Sequence, residues 1–121
     1  MKTFGDVIAE ARKRSQLTQR QFAARIKNEE GRAISGPYLN DIEHDQRHPP
    51  RGFLLWQLAK ALKLDPDLLY FYARQLPADI DWDRVPPELA VKGFRALRRI
   101  INGAARNGPE HSRIRIASGD I

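Results

Sequence analysis

Apolar residues along the 121-residue chain recur at helical spacing, in short blocks separated by turn-forming residues. Phe4, Val7, Ile8 and Ala11 occupy positions i, i+3, i+4 and i+7, which predicts an amphipathic helix over about 4–14 with Thr3 as N-cap. Thr18-x-x-Gln21 reads as a capping box, and Phe22, Ala23 and Ile26 supply the buried face of a second helix. A third helix, over about 36–45, begins near Gly36 or Pro37, because the N–H that proline lacks has no helical partner in a first turn. After Pro49-Pro50, the spacing of Leu55, Leu58, Ala59 and Leu62 marks a fourth. Asp65-Pro66 pairs an N-cap with a first-turn proline for a fifth, through about Gln75. These five helices predict a compact domain over residues 1–76.

Residues 77–105 read as a linker and a sixth helix. Pro77 and Ala78-Asp79-Ile80-Asp81-Trp82-Asp83-Arg84 connect to Pro86-Pro87-Glu88, where the helix starts. Leu89, Ala90, Phe94, Leu97 and Ile101 lie along one side, and Gly103 is the expected stop. Asn107-Gly108-Pro109 then breaks the chain. Residues 106–121 are expected to form a mobile tail, with Ile114-Arg115-Ile116 as an alternative added strand.

Composition narrows the function more by exclusion than by assignment. With no cysteine, the chain has no disulfide, thiolate metal site or thiol nucleophile. Its longest apolar run, Leu68-Leu69-Tyr70-Phe71-Tyr72-Ala73, is too short to span a bilayer, and Met1 to Asp6 lack the apolar segment of a secretory signal, so the expected location is the cytoplasm. The net charge of +6 favours a polyanionic partner. Thirteen basic and nine acidic side chains precede residue 76 and eight and six follow it, so no basic tail exists and contact with a polyanion must come from a patterned surface.

Enzymatic motifs are lacking. His44-x-x-x-His48, with Asp41 or Asp45 nearby, has the spacing of a two-histidine metal site, but Pro49 disrupts helix geometry at His48 and no zincin glutamate is present. Asp79, Asp81 and Asp83 lack the glycine and terminal glutamate of a calcium loop. There is no phosphate-cradling glycine loop or nucleophile elbow. The expectation is a non-enzyme with no metal and no cofactor.

On a helical wheel, Leu39 and Ile42 of the third helix point together, while Pro37, Asn40, Asp41 and His44 take the opposite face. That face is short and polar. It is either an ordinary solvated surface or one able to approach base edges: an asparagine can bond adenine N6 and N7, an aspartate can accept from cytosine N4–H, and a proline ring can pack on a thymine methyl.

Leu17-Thr18-Gln19-Arg20-Gln21-Phe22-Ala23, together with Ile34-Ser35-Gly36-Pro37-Tyr38-Leu39-Asn40-Asp41-Ile42-Glu43 and the following His44 to Pro50, resembles the two central helices of the phage-repressor (XRE) type of helix-turn-helix regulator. The resemblance covers about residues 4–80. It implies an all-α, five-helix, lambda-repressor-like DNA-binding domain plus a C-terminal helical extension. In that family the first of the two helices braces the DNA backbone and the second enters the major groove. The resemblance therefore implies base reading from Pro37, Asn40, Asp41 and His44. It also implies phosphate contacts at Gln19, through its side chain and the free N–H groups of its turn, and in the segment after the recognition helix, which holds Arg47, His48 and Arg51. Arg20, Arg32, Ser35 and Tyr38 are further phosphate candidates around the same helix, and the alternative for each arginine is a solvated surface charge. Arg12 and Glu43 match a pair that forms a buried ion pair in similar proteins.

Two departures stand out. Most relatives carry glycine where Gln16 stands, so either Gln16 adopts a left-handed conformation or the turn differs. Lys27-Asn28-Glu29-Glu30-Gly31-Arg32-Ala33 replaces about one residue of the compact motif, extending the turn or adding helix, as in a subset of the family. The apolar residues after 67, with the sixth helix, either pack within one chain or form a two-fold dimer. The expected function is a sequence-specific regulator of transcription, a dimeric repressor that binds double-stranded DNA at an inverted repeat. The alternatives are an antitoxin that represses its own operon while holding a toxin or other protein partner, and an interaction adaptor that has lost DNA binding.

Overall fold

A computed structural model describes residues 1–106, so the expected tail with Ile114-Arg115-Ile116 lies outside the described residues. Six α-helices follow in order: α1 (Phe4–Arg14), α2 (Gln19–Ala23), α3 (Gly36–Glu43), α4 (Gly52–Leu62), α5 (Pro66–Ala73) and α6 (Pro87–Arg106), with one 3-10 turn at Trp82–Arg84. The chain divides into two compact units, the first from Met1 to Ile80 and the second from Asp81 onward. No helix among the described residues is long and apolar enough to cross a membrane.

In the first unit, α1 packs on α3, α4 and α5, α2 packs on α3, and α4 packs on α5. Each helix contributes the residues its periodicity selects. Phe4, Val7, Ile8 and Ala11 meet Phe22, Ala23, Leu39, Ile42, Leu55, Leu58, Leu62 and Leu69 in one buried cluster. Phe22, Ile8, Ile26, Leu39, Ile42, Leu55, Leu58 and Leu69 are fully buried, each stabilising the fold by about 1.5–3 kcal/mol relative to exposure. Local chemistry sets the helix starts. The side chains of Thr3, Thr18, Ser35 and Asp65 each accept a first-turn backbone N–H, and Thr3 and Thr18 complete full capping boxes with Asp6 and Gln21.

Four element boundaries differ from those read in the sequence, the first being the end of α3 at Glu43 and not at about residue 45. The helix α2 closes at Ala23, so Ile26 enters the core from the following turn rather than from the helix. The helix α5 ends at Ala73, where Arg74 takes a left-handed conformation at φ 58° and Gln75 N–H returns to the Tyr70 carbonyl. The helix α6 runs through Gly103 to Arg106. One interior glycine costs a helix only about 1 kcal/mol, and Ala104, Ala105 and Arg106 are strong helix formers.

The two departures resolve cleanly. Gln16 takes the left-handed conformation, with φ 60°. The inserted residues form a small hairpin, not helix: Lys27 and Ala33 make an antiparallel bridge, and Ile34 N–H bonds the Ile26 carbonyl at 2.9 Å. Asn28 closes its tip. Its side-chain oxygen accepts from Glu30 N–H at 3.0 Å and Arg32 N–H at 2.9 Å, while Gly31 supplies the positive φ of 84° that the turn requires.

The start of α1 lies against the end of α3 at Gly5. A Cβ on Gly5 would stand 2.5 Å from the Glu43 carbonyl oxygen and 2.6 Å from that of Ile42. Replacing an interior helix glycine by alanine ordinarily stabilises by about 0.5–1 kcal/mol. At this position the sign reverses: Gly5→Ala is expected to destabilise by about 1–3 kcal/mol, read as a lowered denaturant midpoint, because α1 must move off α3. An unchanged or raised midpoint would contradict this packing.

Candidate nucleic-acid interface

The third helix presents its inner face to the core through Leu39, Ile42 and Glu43. Pro37 and His44 are exposed, and Asn40 and Asp41 are half-buried on the flanks. The helix ends at Glu43, so His44 is its C-cap rather than a helical residue, and its Nδ1 lies 2.9 Å from the Asn40 carbonyl oxygen. The Asn40 carbonyl only accepts, so Nδ1 is the donor of this contact.

Behind this face lies the most deeply buried polar group of the described chain. Arg12 grips Glu43 bidentately, Nε to Oε2 at 2.6 Å and Nη2 to Oε1 at 2.9 Å, while Nη1 donates to the Leu17 carbonyl at 2.8 Å. Both side chains are nearly inaccessible. The hydrogen bond to Glu43 is the largest cause of a raised Arg12 pKa. Desolvation opposes it, and the charge on Glu43 adds to the rise.

Gln19 joins the same network. Its Nε2 donates to Glu43 Oε1 at 2.9 Å and to Asn40 Oδ1 at 3.0 Å. The structure thus brings Gln19 and Asn40, both expected to face DNA, into direct contact through the amide that was expected to bind phosphate.

A second cluster forms on the other flank. Arg47 Nη2 stands 3.6 Å from Asp41 Oδ2, and its guanidinium lies over the Tyr38 ring, 4.7 Å from the centroid. The pair is half-exposed, so its net contribution to stability is small. Its consequence is positional: Asp41 meets its surroundings partly neutralised, and Arg47 is steered along α3. The Ser35 hydroxyl oxygen accepts from the Tyr38 N–H at 3.1 Å, which caps α3 and leaves its O–H free to donate to another partner. Arg20, Arg32, His48 and Arg51 stand exposed, with Arg32 on the hairpin and Arg51 just before α4.

Sequence reasoning missed Asp45. Held at φ 56°, it accepts from Gly5 N–H at 3.0 Å and from the Thr3 hydroxyl at 2.6 Å, tying the end of α3 to the start of α1. Both of its carboxylate oxygens are engaged in this clamp, so Asp45 belongs to the scaffold. The only sequence signal was an acidic residue at a helix end that lacks a glycine, and the partner forty residues away has no local signature.

Comparison with known proteins places these observations. A family model described as helix-turn-helix matches residues 8–69. Among solved structures, the chain is similar to the P22 c2 repressor protein, crystallised in complex with synthetic operator 9T in the presence of Tl+. The identity is 26%, the match covers 57% of this chain and 94% of that one, and the TM-score is 0.48. None of the curated proteins compared with the chain matches it.

The ion pair sets a clear expectation for stability. Arg12→Ala strands the Glu43 carboxylate in the interior and is expected to cost about 3–5 kcal/mol in denaturant unfolding. Arg12→Lys should recover only part of the loss, because an ammonium cannot match the two-pronged contact. A loss below about 1 kcal/mol for Arg12→Ala would contradict the burial described.

Proposed function

The chain belongs to the helix-turn-helix family of the phage-repressor (XRE) type, DNA-binding regulators of transcription, and on that premise we propose that it is a dimeric repressor reading an inverted repeat. The observation that carries this reading is the contrast between the two faces of α3. The inner face is locked by Leu39, Ile42 and the Arg12–Glu43 pair, whereas the outer face carries Pro37, Asn40, Asp41 and His44 with no bulky aliphatic side chain. A helix whose only purpose is packing needs no such rigid backing for a short polar surface. A helix that enters the major groove needs both, since base edges are reached by short polar groups held in register. Arg20, Arg32, Arg47, His48 and Arg51, with Ser35 and Tyr38, are the groups in this reading that meet the flanking phosphates.

Residues 1–76 carry the DNA contacts in this account, and α6 is the dimerisation element. Its Ala90, Phe94, Leu97 and Ile101 follow the 4-3-4 spacing of a two-helix seam, and Phe94, Leu97 and Ile101 are 40–53% exposed in the single chain. Lys92, Arg95 and Arg99 project from the opposite side of the wheel. Two copies of this helix can therefore pair without bringing those cations together. A two-fold dimer sets two recognition helices one helical turn, about 34 Å, apart.

Selection from a random double-stranded DNA library at ~150 mM salt tests the proposal. It predicts enrichment of an inverted repeat with half-sites about one turn apart, and a folded protein that enriches no sequence would sink it. On the selected site, the affinity of the wild-type protein should fall by about 0.9 log unit per log unit of salt for each phosphate neutralised. Arg51→Ala is expected to reduce that slope by about one phosphate and to weaken all sequences nearly equally; a changed base preference would move Arg51 from the backbone to a base edge.

A further inference from the structure

We propose that the amide facing DNA beside α2 is that of Asn40, that it acts there as a hydrogen-bond donor, and that Gln19 orients it instead of touching DNA through its own side-chain nitrogen. The inference rests on the DNA-binding reading above and assigns a polarity to one residue of that interface.

Donor and acceptor chemistry fixes the orientation of both amides. A guanidinium only donates and an ionised carboxylate only accepts. Arg12 occupies both oxygens of Glu43, which fixes that carboxylate as the acceptor. The Gln19 atom 2.9 Å from Glu43 Oε1 must then be nitrogen, since a carbonyl oxygen there would face another oxygen. Its second hydrogen points to Asn40 at 3.0 Å, so the Asn40 atom receiving it must be oxygen. Each amide is thereby locked against a flip. Both side-chain N–H groups of Gln19 are consumed inside the protein, and its side chain keeps only an acceptor oxygen, which cannot bind a phosphate. Asn40 Nδ2 is left with two donors and no protein partner among the described residues. Because Asn40 is half-buried on the flank of α3, these donors leave the helix on the side nearest the start of α2.

The ligand chemistry follows from that polarity. Two donors select an acceptor on DNA, which is either a base acceptor in the major groove (purine N7, guanine O6 or thymine O4) or a phosphate oxygen, and reject the donor edge of cytosine N4. Base reading by this residue would thus be set by a buried arginine on another helix, through Glu43 and Gln19.

Two measurements test this. In the free protein, side-chain amide NMR should show Gln19 Nε2 protons slow to exchange with solvent and those of Asn40 exchanging freely; the reverse pattern overturns the relay whatever the protein binds. On DNA recovered by selection with wild-type protein, Asn40→Leu should weaken binding roughly tenfold. The double variant Gln19→Leu, Asn40→Leu should then bind no more weakly than Asn40→Leu alone. Losses that multiply would place the Gln19 side chain on DNA and overturn the proposal, as would Asn40→Leu binding like wild type. Lost base preference at one position per half-site assigns the acceptor to a base, and an equal loss on all sequences assigns it to a phosphate. Thermal melting of each variant separates these effects from unfolding. If wild-type protein binds no DNA, the functional reading fails and the proposal with it, even where the amide exchange pattern holds.

Discussion

The buried pairing of Arg12 with Glu43 is the constraint on which the rest of the first unit depends. Apolar burial alone sets how near α3 lies to α1 and α2, but it is non-directional and leaves rotation of α3 about its axis weakly specified. A bidentate guanidinium–carboxylate contact is directional, and here each component comes from a different element. Arg12 lies on α1, Glu43 on α3, the carbonyl of Leu17 in the turn between α1 and α2, and Gln19 at the start of α2. Such a pair adds little net stability over a well-packed apolar substitute, since desolvating two charges nearly offsets their attraction. Its contribution is orientation, because breaking it leaves an uncompensated charge in every alternative rotation.

The outer face inherits that orientation. With Glu43 pinned inward, Asn40 and Asp41 are forced to opposite flanks, where one meets Gln19 and the other Arg47. The far end of α3 is held separately. Asp45 bonds Gly5 and Thr3, and the lack of a side chain at Gly5 lets the α1 backbone sit against the last carbonyls of α3. The outer face of α3 is thus secured along its length by polar contacts of known direction, over a core that supplies most of the free energy. Such a division suits a helix that has to place short side chains accurately against base edges.

Much of this was legible in the chain, and the limits have physical causes. The starts of α1, α2, α3 and α5 were readable because caps and first-turn prolines are local signals. Core residues such as Ile8, Leu39 and Leu58 were readable from 3.6-residue periodicity. Periodicity places Ile26 in α2, because a buried isoleucine just past a short helix fits the same spacing. Gly103 was read as a stop although a single interior glycine is too weak to end a helix that continues with alanine. Contacts between distant residues were legible only where a family pattern flagged them, as for Arg12 and Glu43. Asp45 with Gly5, Gln19 with Asn40, and Arg47 over Tyr38 depend on how the helices meet, and no window of sequence contains both partners' geometry.

Backbone hydrogen exchange, measured by mass spectrometry with and without double-stranded DNA carrying the selected site, tests the central claim most directly. A polar face on a locked α3 predicts added protection over residues 17–23 and 34–51, with α4 beyond its first turn unchanged. Protection confined to α4, α5 or α6 with none over 34–51 would contradict the account, since DNA would then meet a surface that the Arg12–Glu43 network does not orient.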